Sequence, residues 1–309
     1  MSLYEINWGI SPLMIFAKPV MSLEDHRQAI LNCLEMEAYH TMETILPDDE
    51  RVRKELVDAI NASGKEVIYN FPLDFQFPET SPCSLSPEPL EKAIALAKRH
   101  LEYASKLDNC KIVAFTSGPD CDVTDRDTAK NNFKTYCRFL SESGRAQGVS
   151  FALEPVERNK FKKLLLGPTS ETCAFIAELQ AEGCDNISSL IDVSHLIFLN
   201  ETFEEAFNAS NAVGIADIHV ANMIETETSV FYGHRHPGLG EEGGPVNYDY
   251  LVNMFMTLIR GGYIHPDRRP HLSLETIPYR GISSETSAKF SIELMQACLD
   301  DAAEKLSNN

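Results

Sequence analysis

The chain has 309 residues, with 27 Lys and Arg against 46 Asp and Glu, for a formal net charge of −19 at pH 7. Hydrophobic residues at 43% and charged residues at 24% are a folded composition and exclude wholesale disorder. The acidic balance repels phosphate backbones, so no nucleic-acid partner is expected.

Read from the N-terminus, short β-rich runs alternate with longer helical patterns. Residues 5–10 (EINWGI) form a first strand, and Ser22-Leu23-Glu24-Asp25 is a capping-box pattern opening a helix. A strand at 41–45 precedes a helix opened by Asp48-Asp49 and closed at Gly64. Strand 66–71 (EVIYNF) leads to a helix whose apolar stripe is Leu90, Ile94, Ala97 and Leu101. Strands at 110–116, 148–154, 189–193, 214–220 and 271–277 then alternate with helices near 124–147, 169–183, 200–212, 247–261 and 284–306. Eight strand–helix units of about 39 residues suit one closed (β/α)₈ barrel over 1–309; a doubly wound open sheet is the competing arrangement. No linker divides the chain. The longest irregular stretches are 71–89, with five of the sixteen prolines, and 221–246, rich in Gly, His and Glu. Both follow strands, where a barrel keeps its active site.

The eight cysteines form no C-x-x-C pair and no zinc-type spacing. No run approaches 18 apolar residues, and residues 1–16 lack a secretory signal pattern. A cytoplasmic protein in a reducing compartment, with no membrane partner, is expected.

Strand alternation points four polar residues into the barrel. In 149–154, Val149, Phe151 and Leu153 face the helices and Glu154 faces in. Asp192 faces in between Ile191 and Val193. Ala216, Ile218 and Val220 face out, leaving Asp217 and His219 inside. Leu272 and Leu274 face out, with Ser273 and Glu275 inside. Glu154, Asp192, His219 and Glu275 thus converge at one mouth, from four consecutive strands. Three carboxylates share such a site only when a cation or protons neutralise them. Three oxygen ligands and one imidazole suit Mn²⁺, Mg²⁺ or Co²⁺, and also admit Zn²⁺.

The segments LEPVER (153–158), IDVSH (191–195), HVAN (219–222), HRHPGLGEE (234–242) and LSLETIP (272–278) resemble the xylose-isomerase-like TIM-barrel superfamily. Its members include ketose 3-epimerases, hydroxypyruvate-isomerase-like enzymes, inosose-processing enzymes and apurinic-site endonucleases. The resemblance to the epimerase branch implies one divalent metal held by Glu154, Asp192, His219 and Glu275, with both glutamates also serving as the acid/base pair. It implies that His195, in a D-x-x-H pattern, and Arg235, before P-G-x-G, contact the substrate. His236 joins them as a substrate-contact candidate, and Asp217 reads as a supporting partner. Glu157 and Arg158 either line the pocket or pair with each other. Trp8, Phe71, Phe75 and Phe77 are divided between an apolar wall for a sugar and core packing.

The implied activity is a metal-dependent isomerase or epimerase moving a proton beside a metal-chelated carbonyl of a ketose, sugar acid or related sugar; such barrels are often homo-oligomers. A dehydratase or lyase of the same superfamily and a non-catalytic sugar-binding barrel are the alternatives. The endonuclease branch fits less well. Its trinuclear zinc cluster needs histidines at the ends of strands 3 and 4, where this chain has Ile68–Pro72 and Val113–Ser117, and an aspartate where His234 stands.

Overall fold

Eight parallel strands pair in sequence order and close on one another in the computed structural model, which describes residues 3–308. They are β1 (Asn7–Ile10), β2 (Thr41–Thr44), β3 (Glu66–Asn70), β4 (Cys110–Thr116), β5 (Ser150–Glu154), β6 (Ile187–Asp192), β7 (Ile215–Val220) and β8 (His271–Leu274). The β1–β8 pairing, from Asn7↔His271 to Ile10↔Leu274, seals the barrel and rules out the open sheet. All eight expected strands are present. β8 ends at Leu274, so Glu275 lies just beyond it.

The helices begin and end on local chemistry. Helix α1 (Pro12–Ile15) is a short turn after β1 that the periodicity does not signal. Ser22 caps α2 (Leu23–Leu34) through a capping box closed by Asp25. Asp49 caps α3 (Glu50–Ser63), and Gly64 ends it at φ 70°, a left-handed turn that favours glycine. Helices α4 (Pro87–Ala104), α5 (Arg126–Gln147) and α6 (Thr169–Ala181) follow β3, β4 and β5. After β6 the expected helix at 200–212 is preceded by a further one: α7 (Val193–Leu199) starts directly on Asp192 and α8 (Phe203–Asn211) follows. The run VSHLIFL is apolar throughout, so its period does not separate it from the strand before it. Helices α9 (Tyr248–Arg260) and α10 (Ser284–Ser307) complete the outer layer.

Two apolar clusters hold this arrangement. The large one lies between strands and helices and takes Phe151, Leu153, Ile191, Val193, Ile218, Val220, Leu272 and Leu274, as alternation predicts. The small one, Ile68, Ala114, Ala152 and Leu190, fills the barrel interior on the β3–β6 side. Ala216 packs on this inner cluster, not on the helices. The register of β6 against β7 jumps from Ser189↔Ile215 to Leu190↔Asp217, and that irregularity breaks simple alternation at Ala216. Trp8 is core: it is buried with its ring edge-on to Phe255, at 6.3 Å between centroids. All eight cysteines are free, and seven are buried. Among the described residues no helix is long and apolar enough to cross a membrane.

One buried pair makes stability depend on acid. Tyr69 Oη accepts from Leu46 N and is hydrogen-bonded to His100 Nδ1 at 2.8 Å. Burial lowers the His100 imidazole from 6.5 to about 4. Below pH 6.5 the unfolded chain takes up a proton that folded His100 refuses until about pH 4, so stability falls with acid across that window. The full effect is on the order of 3 kcal/mol. Urea midpoints at pH 7 and pH 4.5 should therefore drop more steeply for the wild type than for His100→Asn, which cannot titrate.

Candidate active site at the barrel mouth

The strand ends place the predicted residues around one opening. Glu154 is the last residue of β5, in register with Thr116 at the end of β4. Asp192 ends β6 and also caps α7, its Oδ1 accepting from Ser194 N at 2.7 Å. That bond fixes the carboxylate and leaves Oδ2 buried with no hydrogen-bond partner. His219 is in register with Asp192 on one side and with Ser273 on the other. Its Nδ1 is 3.0 Å from Glu275 Oε2, out of line for a hydrogen bond, and 3.9 Å from Glu154 Oε1.

Among the described residues three groups of ligand atoms, the atoms of each within 4.8 Å of one another, could hold a metal ion: Glu43 with Asp217 and His219, and, sharing Asp192, Glu154 with Asp192 and His195 and Asp192 with His236 and Glu275. The four predicted ligands are spread across all three. Asp192 Oδ2 and His219 Nδ1 are buried electron-pair donors without partners, and buried polar atoms are normally satisfied. Carboxylate oxygens with one imidazole nitrogen are a donor set for a hard or borderline divalent cation. The residues present fit such an ion.

The electrostatics agree. Burial opposes charging of His219 and His195, yet the surrounding carboxylates outweigh it and hold both imidazoles well above their ordinary value. Glu43 and Glu275 act on the first, and Asp192, Glu154 and Glu157 on the second. Burial raises the Asp192 carboxyl, while His236 and His219 hold Glu275 well below the usual carboxylate range against the cost of its own burial. These directions describe a cluster that draws positive charge to itself.

Glu43 is the residue that the strand alternation passed over. It lies buried on β2, and its Oε1 is 2.9 Å from His219 Nε2. Burial pushes its carboxyl up to about 7 against the pull of His219. A carboxylate on the far nitrogen fixes the tautomer and aims Nδ1 at the cluster. The signal was available, since Met42 and Glu43 alternate like the other strands, but its partner is 176 residues away. Asp217 supports the floor: Ser273 Oγ donates to its Oδ2 at 2.5 Å. Gly9 must be glycine for the same reason, because a Cβ there would stand 2.3 Å from Ser273 Oγ.

The histidines divide by position. His195, buried on α7, has Nδ1 2.6 Å from Glu157 Oε2, while Nε2 is 3.4 Å from Glu154 Oε1 and 3.5 Å from Asp192 Oδ2. His236 is also buried, in a left-handed conformation at φ 45°. Its Nδ1 donates to the Glu275 main-chain oxygen at 3.1 Å, and its own oxygen accepts from Ile277 N, so it clamps the turn that carries Glu275. His234 lies between them, 3.4 Å from His195 Nε2 and 3.2 Å from His236 Nε2, and burial drives its imidazole strongly toward the neutral form. Glu157 and Arg158 do not pair with each other; Glu157 holds His195, and Arg158 bonds Glu171 at 2.7 Å.

Above the cluster opens a cavity of about 780 Å³. Glu43, Glu154, His219 and Glu275 form its floor, with Phe71, Phe75, Phe231 and Ile277 among its apolar walls and His234, Arg235 and Lys162 among its polar ones. His195 and His236 are beneath this lining, and Phe77 is exposed outside it. Asn70 and Thr116, at the ends of β3 and β4, occupy the places where histidines are absent.

An eight-stranded parallel barrel whose strand ends gather acidic and histidine side chains under a cavity defines the (β/α)₈ class with a candidate metal centre at its C-terminal mouth. The family model for the xylose isomerase-like TIM barrel matches residues 31–298, and the chain belongs to that family. No curated protein matches it by sequence. Among solved structures, a D-tagatose 3-epimerase-like protein superposes with a TM-score of 0.72 at 15% identity, covering 97% of this chain and 100% of that one. The D-psicose 3-epimerase of Clostridium cellulolyticum H10, determined with D-tagatose, gives 0.65 at 16% identity and covers 97% of both chains. A family 2 AP endonuclease of Brucella melitensis gives 0.66 at 18% identity, over 93% of this chain and 99% of that one. At these identities the likeness is one of fold.

Proposed function

We propose that this protein is a divalent-metal-dependent sugar isomerase or epimerase that moves a proton at the carbon beside a carbonyl. The observation that supports this reading is the gathering of acidic and histidine ligand atoms at the strand ends, with His219 Nδ1 3.0 Å from Glu275 Oε2 and 3.9 Å from Glu154 Oε1, beside a cavity that these three residues line. Those four residues hold the ion. A divalent cation bound there supplies a Lewis acid for the substrate carbonyl and its neighbouring hydroxyl.

The chain's own groups do the rest. Glu154 on β5 and Glu275 beyond β8 reach the cavity from different sides. One carboxylate takes the proton from carbon and the other, as its acid, returns a proton to the opposite face or the adjacent carbon. Arg235 orients substrate oxygens from the cavity wall. His195, bonded through Glu157, positions Glu154 and Asp192, and His236 positions Glu275; in both cases burial beneath the lining favours this over the direct substrate contact that the resemblance implies. Phe71 and Phe75 exclude water. Neighbours named as 3-epimerases of ketoses support the substrate class. The endonuclease neighbour does not carry over as well, because β3 and β4 end without histidine and the net charge of −19 opposes DNA.

Titrating Mn²⁺ into metal-free protein tests the centre. One site per chain is expected, with affinity lowered at least about tenfold in Asp192→Asn, since losing a ligand costs no less than losing a supporting partner. Wild-type affinity in that variant would remove Asp192 from the metal set.

A further inference from the structure

We propose that the outer part of the cavity is an anion subsite built by Lys162 and Arg235, and that the substrate is a ketose carrying a carboxylate or phosphate at its non-reacting end. Which end reacts rests on the proton-transfer reading above; the subsite itself stands on separate residues.

The charged lining residues differ in exposure: Glu43 is buried and Glu154 and Glu275 keep only 15% and 21% of their side chains exposed, whereas Lys162 is half-buried and Arg235 is exposed. The cavity's acidic residues, Glu43, Glu154 and Glu275, all belong to the cluster at the strand ends. Its cations are Lys18, Lys162 and Arg235. Lys18 is taken up by Asp25. Of the other cations after β5, Arg158 pairs with Glu171 and Lys160 with Glu225, while Lys163 makes no ion pair among the described residues but does not line the cavity. Within the cavity, Lys162 Nζ donates, among the described residues, only to the neutral amide oxygen of Gln76, at 3.1 Å. The Arg235 guanidinium makes no ion pair or hydrogen bond among the described residues. Two uncompensated cations at the mouth of a cavity, in a chain with 19 more acids than bases, concentrate an anion that the rest of the surface repels. A neutral sugar needs neither charge.

The lysine is also held in place. Its main-chain N donates to Glu157 Oε1 at 3.2 Å, on the carboxylate that fixes His195. Gln76 is tied in turn to Thr116, its Nε2 donating to Oγ1 at 3.3 Å, beside Glu154 on the next strand. The residues flanking Lys162, Phe161 at φ 25° and Lys163 at φ 54°, both adopt left-handed backbone that L side chains rarely take. Such strain persists where surrounding contacts fix the loop, and it gathers at ligand clamps.

Three sugars with one carbon skeleton test this: D-fructose, D-fructuronate and D-fructose 6-phosphate, which differ at C6 as hydroxyl, carboxylate and phosphate. Calorimetry on the Mg²⁺-loaded protein at low salt is expected to show at least one anion binding roughly tenfold or more tighter than D-fructose. That preference should collapse in Lys162→Met and in Arg235→Met, and shrink in about 0.5 M KCl. Which anion wins separates a sugar acid from a sugar phosphate. Inorganic phosphate probes the subsite without a sugar and should raise the melting temperature of the wild type more than that of either variant. D-fructose binding as tightly as both anions, or a preference untouched by both substitutions, overturns the subsite. Glu154→Gln separates the two readings: it should keep the anion preference and lose proton exchange. Exchange at the wild-type rate in that variant would defeat the proton-transfer reading and leave the subsite standing.

Discussion

Glu275→Gln is expected to keep the barrel and lose solvent-proton exchange on its substrate by about 10²–10⁴-fold, the range that a positioned general base contributes. Glu275 lies past the end of β8, so no ladder bond depends on its side chain. Its backbone is held independently, with Glu275 N donating to Val220 O at 3.2 Å and its oxygen bonded by His236. The amide has nearly the same size but cannot take a proton at neutral pH and is a weaker metal ligand. Far-UV circular dichroism should match the wild type while exchange fails. Near-wild-type exchange in this variant would mean that the acid/base assignment is wrong.

Glu43→Gln should weaken metal binding by about 10–100-fold although Glu43 is not proposed as a ligand. The carboxylate sits on the far nitrogen of His219 at 2.9 Å, and charge there raises the ligand strength of Nδ1 as well as orienting the ring. An amide presents either a neutral oxygen or an N–H to that nitrogen, and a neutral partner pulls less strongly on the proton. The loss should appear in the Mn²⁺ titration as lower affinity at unchanged stoichiometry. It should also appear in turnover as a defect that excess metal partly rescues, which distinguishes it from Glu275→Gln. Unchanged affinity would place Glu43 in the barrel floor with no part in the centre.

Much of this arrangement was legible because a barrel strand has a period of two and a polar residue breaks an apolar alternation visibly. In β5, β6 and β7, and at the exit of β8, the buried outward residues frame Glu154, Asp192, His219 and Glu275, and each of the four falls in one of the groups of ligand atoms at the strand ends. Less legible were features decided between distant segments. Glu43 stands on a four-residue strand, and its meaning comes from a ring on β7. Ala216 turns inward because β6 and β7 slip register, which neither strand shows alone. Helix α7 is hidden in an apolar run, so the D-x-x-H pattern gives no sign that His195 lies on a buried helix. The irregular segments were harder still: of the aromatic candidates, Phe71 and Phe75 line the cavity, Trp8 packs in the core and Phe77 points to solvent. Loop composition fixes polarity but not which side chain turns inward.

The central claim is proton transfer beside a carbonyl, and the most direct measurement is proton NMR in deuterium oxide. Mg²⁺-loaded protein would be incubated with ketoses, sugar acids and ketose phosphates. The predicted result is deuterium entering a single carbon adjacent to the carbonyl of at least one substrate, abolished by chelation and by Glu275→Gln. No exchange on any of these sugars, with metal bound at one site per chain, would contradict the account.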